Sequence, residues 1–338
     1  MLFKVKPVKS TVAFSYAGAK PPVDLSTLIR GPNGVPYVID RAGKAVYRVD
    51  LKSKKATRVV RAGQAAGGTT AGEPRFLALG GTRDLLILDS RNNLWRWRDA
   101  NSKGSGTLTR VRPLDSAGWG NDIRAFGTFI RGSPDSGLYN IYIVDPSEKQ
   151  LIFYTPAADG NGYPGTPSKR LATAQSVDDV DSMLIDGDIY FAQGGAVKRV
   201  VPASGWQPGD IGDSIIHPTT RFTAVATYDE RRTGVIYAYD AANGRIVAYD
   251  KDSGNYETQF RLANGDPGWG DLRGFYVLPG TQSAPPTVVW IDGNRLSTAP
   301  LTPVVEIVLG EASPSIHPSP SPKQSPSAKP RRTPKPRR

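Results

Sequence analysis

Two stretches of the chain place a ring, an acid and a guanidinium at nearly the same spacing. Gly118-Trp119-Gly120-Asn121-Asp122-Ile123-Arg124-Ala125-Phe126 matches Gly268-Trp269-Gly270-Asp271-Leu272-Arg273-Gly274-Phe275 with one residue inserted. An indole can stack on a planar or sugar ligand, and an arginine can hold a carboxylate or phosphate through two parallel hydrogen bonds. Trp119, Asp122, Arg124, Trp269, Asp271 and Arg273 are therefore candidates for a ligand site. A packing role competes with that reading, because a motif present twice can also serve a need shared by two structural units. Each tryptophan would then wedge between units, and each Asp-x-Arg pair would lock a loop to its neighbour.

A third stretch carries carboxylates. Asp178, Asp179 and Asp181 can offer oxygen ligands to a hard cation such as calcium, or pair with Arg124 or Arg273. Other chemistries run short of residues. The chain has no cysteine, which excludes disulfides, thiolate metal sites, thiol nucleophiles and iron-sulfur clusters. Of two histidines, His317 falls in a low-complexity segment, leaving His217 as the imidazole able to act as a general base. Its place before Pro218, in a stretch between blades, better suits a surface residue. The segment Gly63-Gln-Ala-Ala-Gly-Gly-Thr-Thr70 lacks the lysine of a phosphate-binding loop and is expected to be a flexible connector. These absences favour a non-catalytic module without a cofactor. An enzyme acting on a sugar or lactone is the competing class.

The elements that must position these residues repeat along the chain. Six apolar runs end in an acid or amide: Tyr37–Asp40, Leu86–Asp89, Tyr142–Asp145, Tyr190–Gln193, Tyr237–Asp240 and Val289–Asp292. Their last residues are spaced by 49, 56, 48, 47 and 52, a regularity that marks a repeat architecture. Each run meets a tight Gly, Asn or Pro turn and then a second strand, such as Val46–Asp50 or Ile246–Asp250, which is the signature of a hairpin. Asp or Asn at such a turn can accept from backbone N–H groups two residues on, which explains its recurrence without catalysis. Flanking runs such as Phe76–Leu79, Met183–Ile185 and Phe275–Leu278 add a strand before most hairpins, and Thr57–Val60, Thr107–Arg110 and Glu257–Phe260 add one after several. Four antiparallel strands per repeat, six times over, predict an all-β, six-bladed β-propeller across 25–310. A parallel β-helix, the main competitor, has shorter coils and no need of hairpin units. Residues 1–24 form an N-terminal segment, and the last hairpin needs an outer strand from Phe3–Lys6, Thr11–Phe14 or Val304–Leu309. In such a ring the Trp and Asp motifs fall where loops enter the innermost strands, near the central channel.

The hairpin Tyr37-Val-Ile-Asp-Arg-Ala-Gly-Lys-Ala-Val-Tyr-Arg-Val-Asp50 resembles the NHL and related repeats of six-bladed propellers. This resemblance covers about 25–310 with one match per blade, and it implies fold rather than function. More loosely, a propeller with a Pro-rich tail is similar to the sensor-like extracytoplasmic domains that some bacteria attach to membrane serine/threonine kinases and phosphatases. With the usual catalytic residue types absent, the expected role is that of a binding, scaffold or sensor module, monomeric, with a protein or small-molecule ligand at one face of the ring.

Charge is unevenly placed. Lysine and arginine number 43 against 31 acids, a formal net charge of +12, and residues 1–61 and 312–338 carry more than all of that excess. Lys52, Lys54, Lys55 and Arg58 form one basic run on an outer hairpin. Arg331, Arg332, Lys335, Arg337 and Arg338 form another, in a Pro/Ser-rich tail (311–338) whose composition predicts disorder. Both suit an anionic surface or polymer, although the tail has no aromatic for base stacking. No run reaches the roughly 20 apolar residues of a membrane span, and the start lacks the apolar stretch of a secretory signal. An extracytoplasmic location is expected only if the chain is part of a longer membrane protein.

Overall fold

The Asp-ended runs are apolar at nearly every position, and a strand of that kind must be covered on both faces. In the computed structural model each is the second strand of an antiparallel sheet, with a further sheet packed on either side. The structure describes residues 2–5, 11–15, 24–99, 105–111, 119, 122–130, 137–160, 162–163, 166–172, 175–201, 220–229, 232–262, 269–302 and 305–308.

Two short strands, β1 (Leu2–Val5) and β2 (Thr11–Ser15), precede the repeats. Blade 1 is β3 (Leu25–Arg30), β4 (Pro36–Asp40), β5 (Ala45–Asp50) and β6 (Lys55–Arg61), hydrogen-bonded in that order. A small hairpin of β7 (Ala65–Ala66) and β8 (Thr69–Thr70) links it to blade 2. Blade 2 comprises β9 (Pro74–Leu79), β10 (Asp84–Asp89), β11 (Leu94–Asp99) and β12 (Gly106–Val111). Blade 3 comprises β13 (Ala125–Phe129), β14 (Asn140–Asp145), β15 (Gln150–Tyr154) and the short β16 (Ser168–Lys169). In blade 4 the described residues supply three strands, β17 (Val180–Ile185), β18 (Ile189–Gln193) and β19 (Ala196–Val201). Blade 5 is β20 (Phe222–Ala226), β21 (Val235–Asp240), β22 (Arg245–Asp250) and β23 (Tyr256–Phe260). Blade 6 is β24 (Leu272–Leu278), β25 (Thr287–Asp292) and β26 (Arg295–Pro300), with β27 (Val305–Val308) following it.

Of the three candidates for the outer strand of blade 6, β2 pairs with β26, Thr11 opposite Thr298 and Ser15 opposite Arg295. The other two pair with each other, β1 with β27. Both ends of the folded chain therefore meet at blade 6.

The apolar core is divided into six clusters, each shared by two adjacent blades. Tyr37, Ile39 and Val46 of blade 1 join Leu85, Ile87 and Trp95 of blade 2. Val38, one residue along β4, faces the other way and joins Val289 and Ile291 of blade 6. Alternation along a strand thus feeds two interfaces at once. The remaining clusters join blades 2 and 3, 3 and 4, 4 and 5, and 5 and 6. Six interfaces for six sheets is a closed ring, and β3, β9, β13, β17, β20 and β24 touch one another in turn around its axis.

The segment expected to be a flexible connector is instead the hairpin β7–β8. Its two turn residues, Gly67 (φ +56°) and Gly68 (φ +79°), are both left-handed, as a two-residue hairpin turn of type I′ requires. The Gly-Gly pair was a hairpin signal, not a sign of looseness.

Candidate functional site

The ring has two mouths. The second strand of each blade runs antiparallel to the first, so its terminal acid lies beside the start of the innermost strand, at what we term the upper mouth. The innermost strands end at the lower mouth.

Every sequence-predicted motif near the channel lies at the upper mouth. The repeated acids there are buried and act as staples. Asp89 accepts from the backbone N–H groups of Gly72 (2.7 Å), Arg91 (2.8 Å) and Asn93 (2.9 Å) and from the Trp95 indole (2.8 Å). Asp240 accepts from Arg221 N (3.0 Å), Asn243 Nδ2 (2.7 Å) and Arg245 Nε (2.9 Å). Burial works against charge on each. For Asp89 the indole and backbone donors outweigh it and hold the carboxyl below the ordinary range. For Asp240 the Arg221 N–H, Asn243 and Arg245 do so. Gln193 performs the same task with the opposite polarity, donating to the carbonyls of Ser176 (3.0 Å) and Asp178 (2.7 Å). Asp89, Gln193 and Asp240 each bond the segment that feeds their own blade's innermost strand.

Trp119 and Trp269 turn inward. Trp119 lies in the cluster between blades 2 and 3, edge-on to Tyr154 with ring centroids 5.5 Å apart. Trp269 lies between blades 5 and 6, edge-on to Trp290 at 5.8 Å. Their relative exposures of 6% and 2% leave no ring face for a ligand to stack on. The guanidiniums of the same motifs are paired. Arg124 meets Asp122 at 3.2 Å. Arg273 meets Asp271 at 2.8 Å and also the carboxylate of Asp24, which Arg41 holds at 2.7 Å. Asp24 precedes blade 1 and Arg273 belongs to blade 6, so this network bridges two blades. The Arg41 hydrogen bond holds the Asp24 carboxyl below its usual value against the cost of burial, and Arg273 assists.

Asp178, Asp179 and Asp181 share the same mouth without converging. Among the described residues no three His, Cys, Asp or Glu side chains form a group able to hold a metal ion. Asp178 accepts from the Ser176 hydroxyl (2.8 Å). Burial pushes the Asp181 carboxyl up, opposed by Arg221, reinforced by Asp179 and opposed again by Arg124. Lys52, Lys54, Lys55 and Arg58 are exposed on the outer hairpin of blade 1. His217, Arg331, Arg332, Lys335, Arg337 and Arg338 lie outside the described residues.

The lower mouth holds what the sequence did not single out. A recess of about 950 Å³ opens there, reaching from the ends of the innermost strands into the seam between blades 3 and 4. Phe129, Tyr142, Phe153, Ile185 and Ile189 supply apolar lining, and Arg30, Arg170, Asn140, Asp186 and Asp229 supply polar groups. Its origin is a difference in loop length. Blade 4 turns from its first to its second strand through 186–188 alone, whereas blade 3 uses 130–139 and blade 5 uses 227–234. Gly187 (φ +113°) permits that turn in a conformation closed to other residues, and Asp186 accepts from Asp188 N at 3.0 Å.

Charge below the recess is internally neutralised. The fully buried Lys251 of blade 5 donates to Asp186 of blade 4 (2.7 Å) and to the Asp229 carbonyl (3.0 Å). Asp188 meets Arg232 at 3.2 Å and Arg199 at 3.7 Å. The uneven loop lengths were the one signal in the sequence that pointed here.

No protein-family model and no curated protein matches the chain. Among solved structures it is similar to a streptogramin B lyase, 10% identical over 88% of this chain and 98% of that one, with a TM-score of 0.50. It is also similar to the WD40 repeats of RRP9, 11% identical over 88% and 100%, TM-score 0.52. A PQQ-bound aldose sugar dehydrogenase from Streptomyces coelicolor is 15% identical over 87% and 98%, TM-score 0.49. The chain is an all-β, six-bladed β-propeller. A lyase and a set of WD40 repeats share this fold, so likeness at this identity defines the fold and leaves function to the site.

Proposed function

We propose that this propeller is a non-catalytic binding or scaffold module that takes a ligand or partner at its lower mouth. The observation that carries the reading is the 950 Å³ recess, a size typical of small-molecule sites, on a ring whose upper-mouth Trp and Arg candidates are taken up by packing and ion pairs. The test is a thermal-shift screen of small molecules against the full chain and its Ile185→Trp variant, which fills the recess. Stabilising compounds lost in the variant support the reading; compounds that stabilise both equally put binding elsewhere. Turnover of a lactone or an aldose by the purified chain would replace it with the enzyme reading.

A second reading rests on Lys52, Lys54, Lys55 and Arg58, exposed together and without an ion pair among the described residues. With the basic tail they suit a polyanion. Retention on heparin should fall with rising salt and weaken on deletion of 312–338; salt-insensitive retention refutes it. The sensor role of propellers attached to membrane kinases and phosphatases is a finer form of the first reading, tested by the coding sequence that flanks this chain.

A further inference from the structure

The polar groups around the lower recess are not equivalent. Its acids are occupied: the Asp186 carboxylate is held by Lys251 and the Asp188 N–H, and the Asp229 carboxylate accepts from Val235 N at 3.0 Å. Its cations are not. Arg30 and Arg170 are exposed at the rim and have no carboxylate partner among the described residues. The Arg170 guanidinium lies over the Phe153 ring, 3.9 Å from its centroid. Stacking of this kind fixes the plane of the group and uses its face, while leaving its in-plane N–H donors free for an anion. Asn140 lines the same recess at 4% exposure, and its side-chain amide makes no hydrogen bond among the described residues.

We infer that the recess takes a small amphipathic anion, with a planar apolar body against Phe129 and Tyr142 and a carboxylate held by Arg170, while Arg30 adds positive charge elsewhere on the rim. Asn140 supplies a neutral donor and acceptor that orients the body. This rests on the lower-mouth reading above and adds the chemical class of the ligand. Two unpaired guanidiniums at the rim against the single unpaired carboxylate of Asp229, with Asp186 paired to Lys251 and apolar lining within, together select an anion over a cation or a neutral molecule of the same shape.

The probes are naphthalene-2-carboxylate and its neutral analogue naphthalene-2-carboxamide, titrated calorimetrically against the full chain. The carboxylate should bind at least about tenfold more tightly, the value of one charge-assisted hydrogen bond. The double variant Arg30→Met/Arg170→Met keeps the apolar stems and should erase that difference while the carboxamide affinity stays the same. Ile185→Trp should abolish both. Equal affinity of the two probes, or a difference that survives the double variant, overturns the anion inference alone. Failure of both probes to bind, or binding that survives Ile185→Trp, overturns the lower-mouth reading with it. Unchanged melting temperatures identify the variants as folded.

Discussion

At the upper mouth Arg273 meets Asp271 and Asp24, Arg124 meets Asp122, and two indoles are sealed between blades. At the lower mouth Arg30 and Arg170 border an open recess and find no carboxylate among the described residues. The same strands build both ends, so the contrast comes from the connections. Upper turns such as 41–44, 90–93 and 241–244 are short and nearly uniform, and each follows a buried acid. Lower connections range from 186–188 to 130–139 and carry no repeated motif. What repeats in this protein holds the ring together, and what varies leaves room for a ligand.

That contrast can be broken at several points. The largest effects should come from the upper framework. Trp269→Ala and Trp119→Ala each empty an inter-blade cluster and should lower stability by about 3–5 kcal/mol, read from urea unfolding; an unchanged midpoint would return those indoles to the list of ligand groups. Asp240→Ala leaves Arg245, which is fully buried, with Gln259 at 2.7 Å in place of its carboxylate. Stranding a buried charge in this way should cost about 3–5 kcal/mol.

Acid should act on the same staples. The carboxyls of Asp89 and Asp240 are held below the ordinary value of about 3.9. A lowered folded-state value stabilises fully above the unfolded one and is lost as pH falls through the folded one. The urea midpoint should therefore hold steady down to about pH 4 and fall below it, more steeply than in an Asp89→Asn/Asp240→Asn variant. Parallel profiles for the two proteins would show that the staples carry no linkage.

The smallest effects should come from the exposed pairs. Arg124→Met removes an ion pair in which both side chains are about half exposed and should change stability by about 0–1 kcal/mol. It should leave naphthalene-2-carboxylate affinity unchanged, whereas Arg170→Met should weaken it at equal stability. Reversal of those two ligand results would exchange the roles of the mouths.

Much of the framework was legible because its causes are local. Runs such as Tyr37–Asp40 and Tyr237–Asp240 are short, aromatic and β-branched stretches that end at a turn signal, and the acid that ends each one is explained by the turn it precedes. Gly67-Gly68 was equally local, and its hairpin chemistry outweighed its composition. The Trp motif showed the limit. Its residue types suit stacking or packing equally, and only the neighbouring blade, which buries Trp269 against Trp290, separates the two. Arg30, Asn140, Phe153 and Arg170 share no spacing at all, since they come from different strands and blades.

The sequence by itself determined six strand-and-turn units, their Asp-capped turns and the uneven lengths of the loops between them, because backbone preference and two-residue periodicity act over a few residues. The tertiary structure decided that Thr11–Ser15, not two other equally apolar segments, completes blade 6. It also decided which guanidiniums find acids and which face an open recess, because burial and charge pairing depend on groups far apart in the chain that only the closed ring brings together.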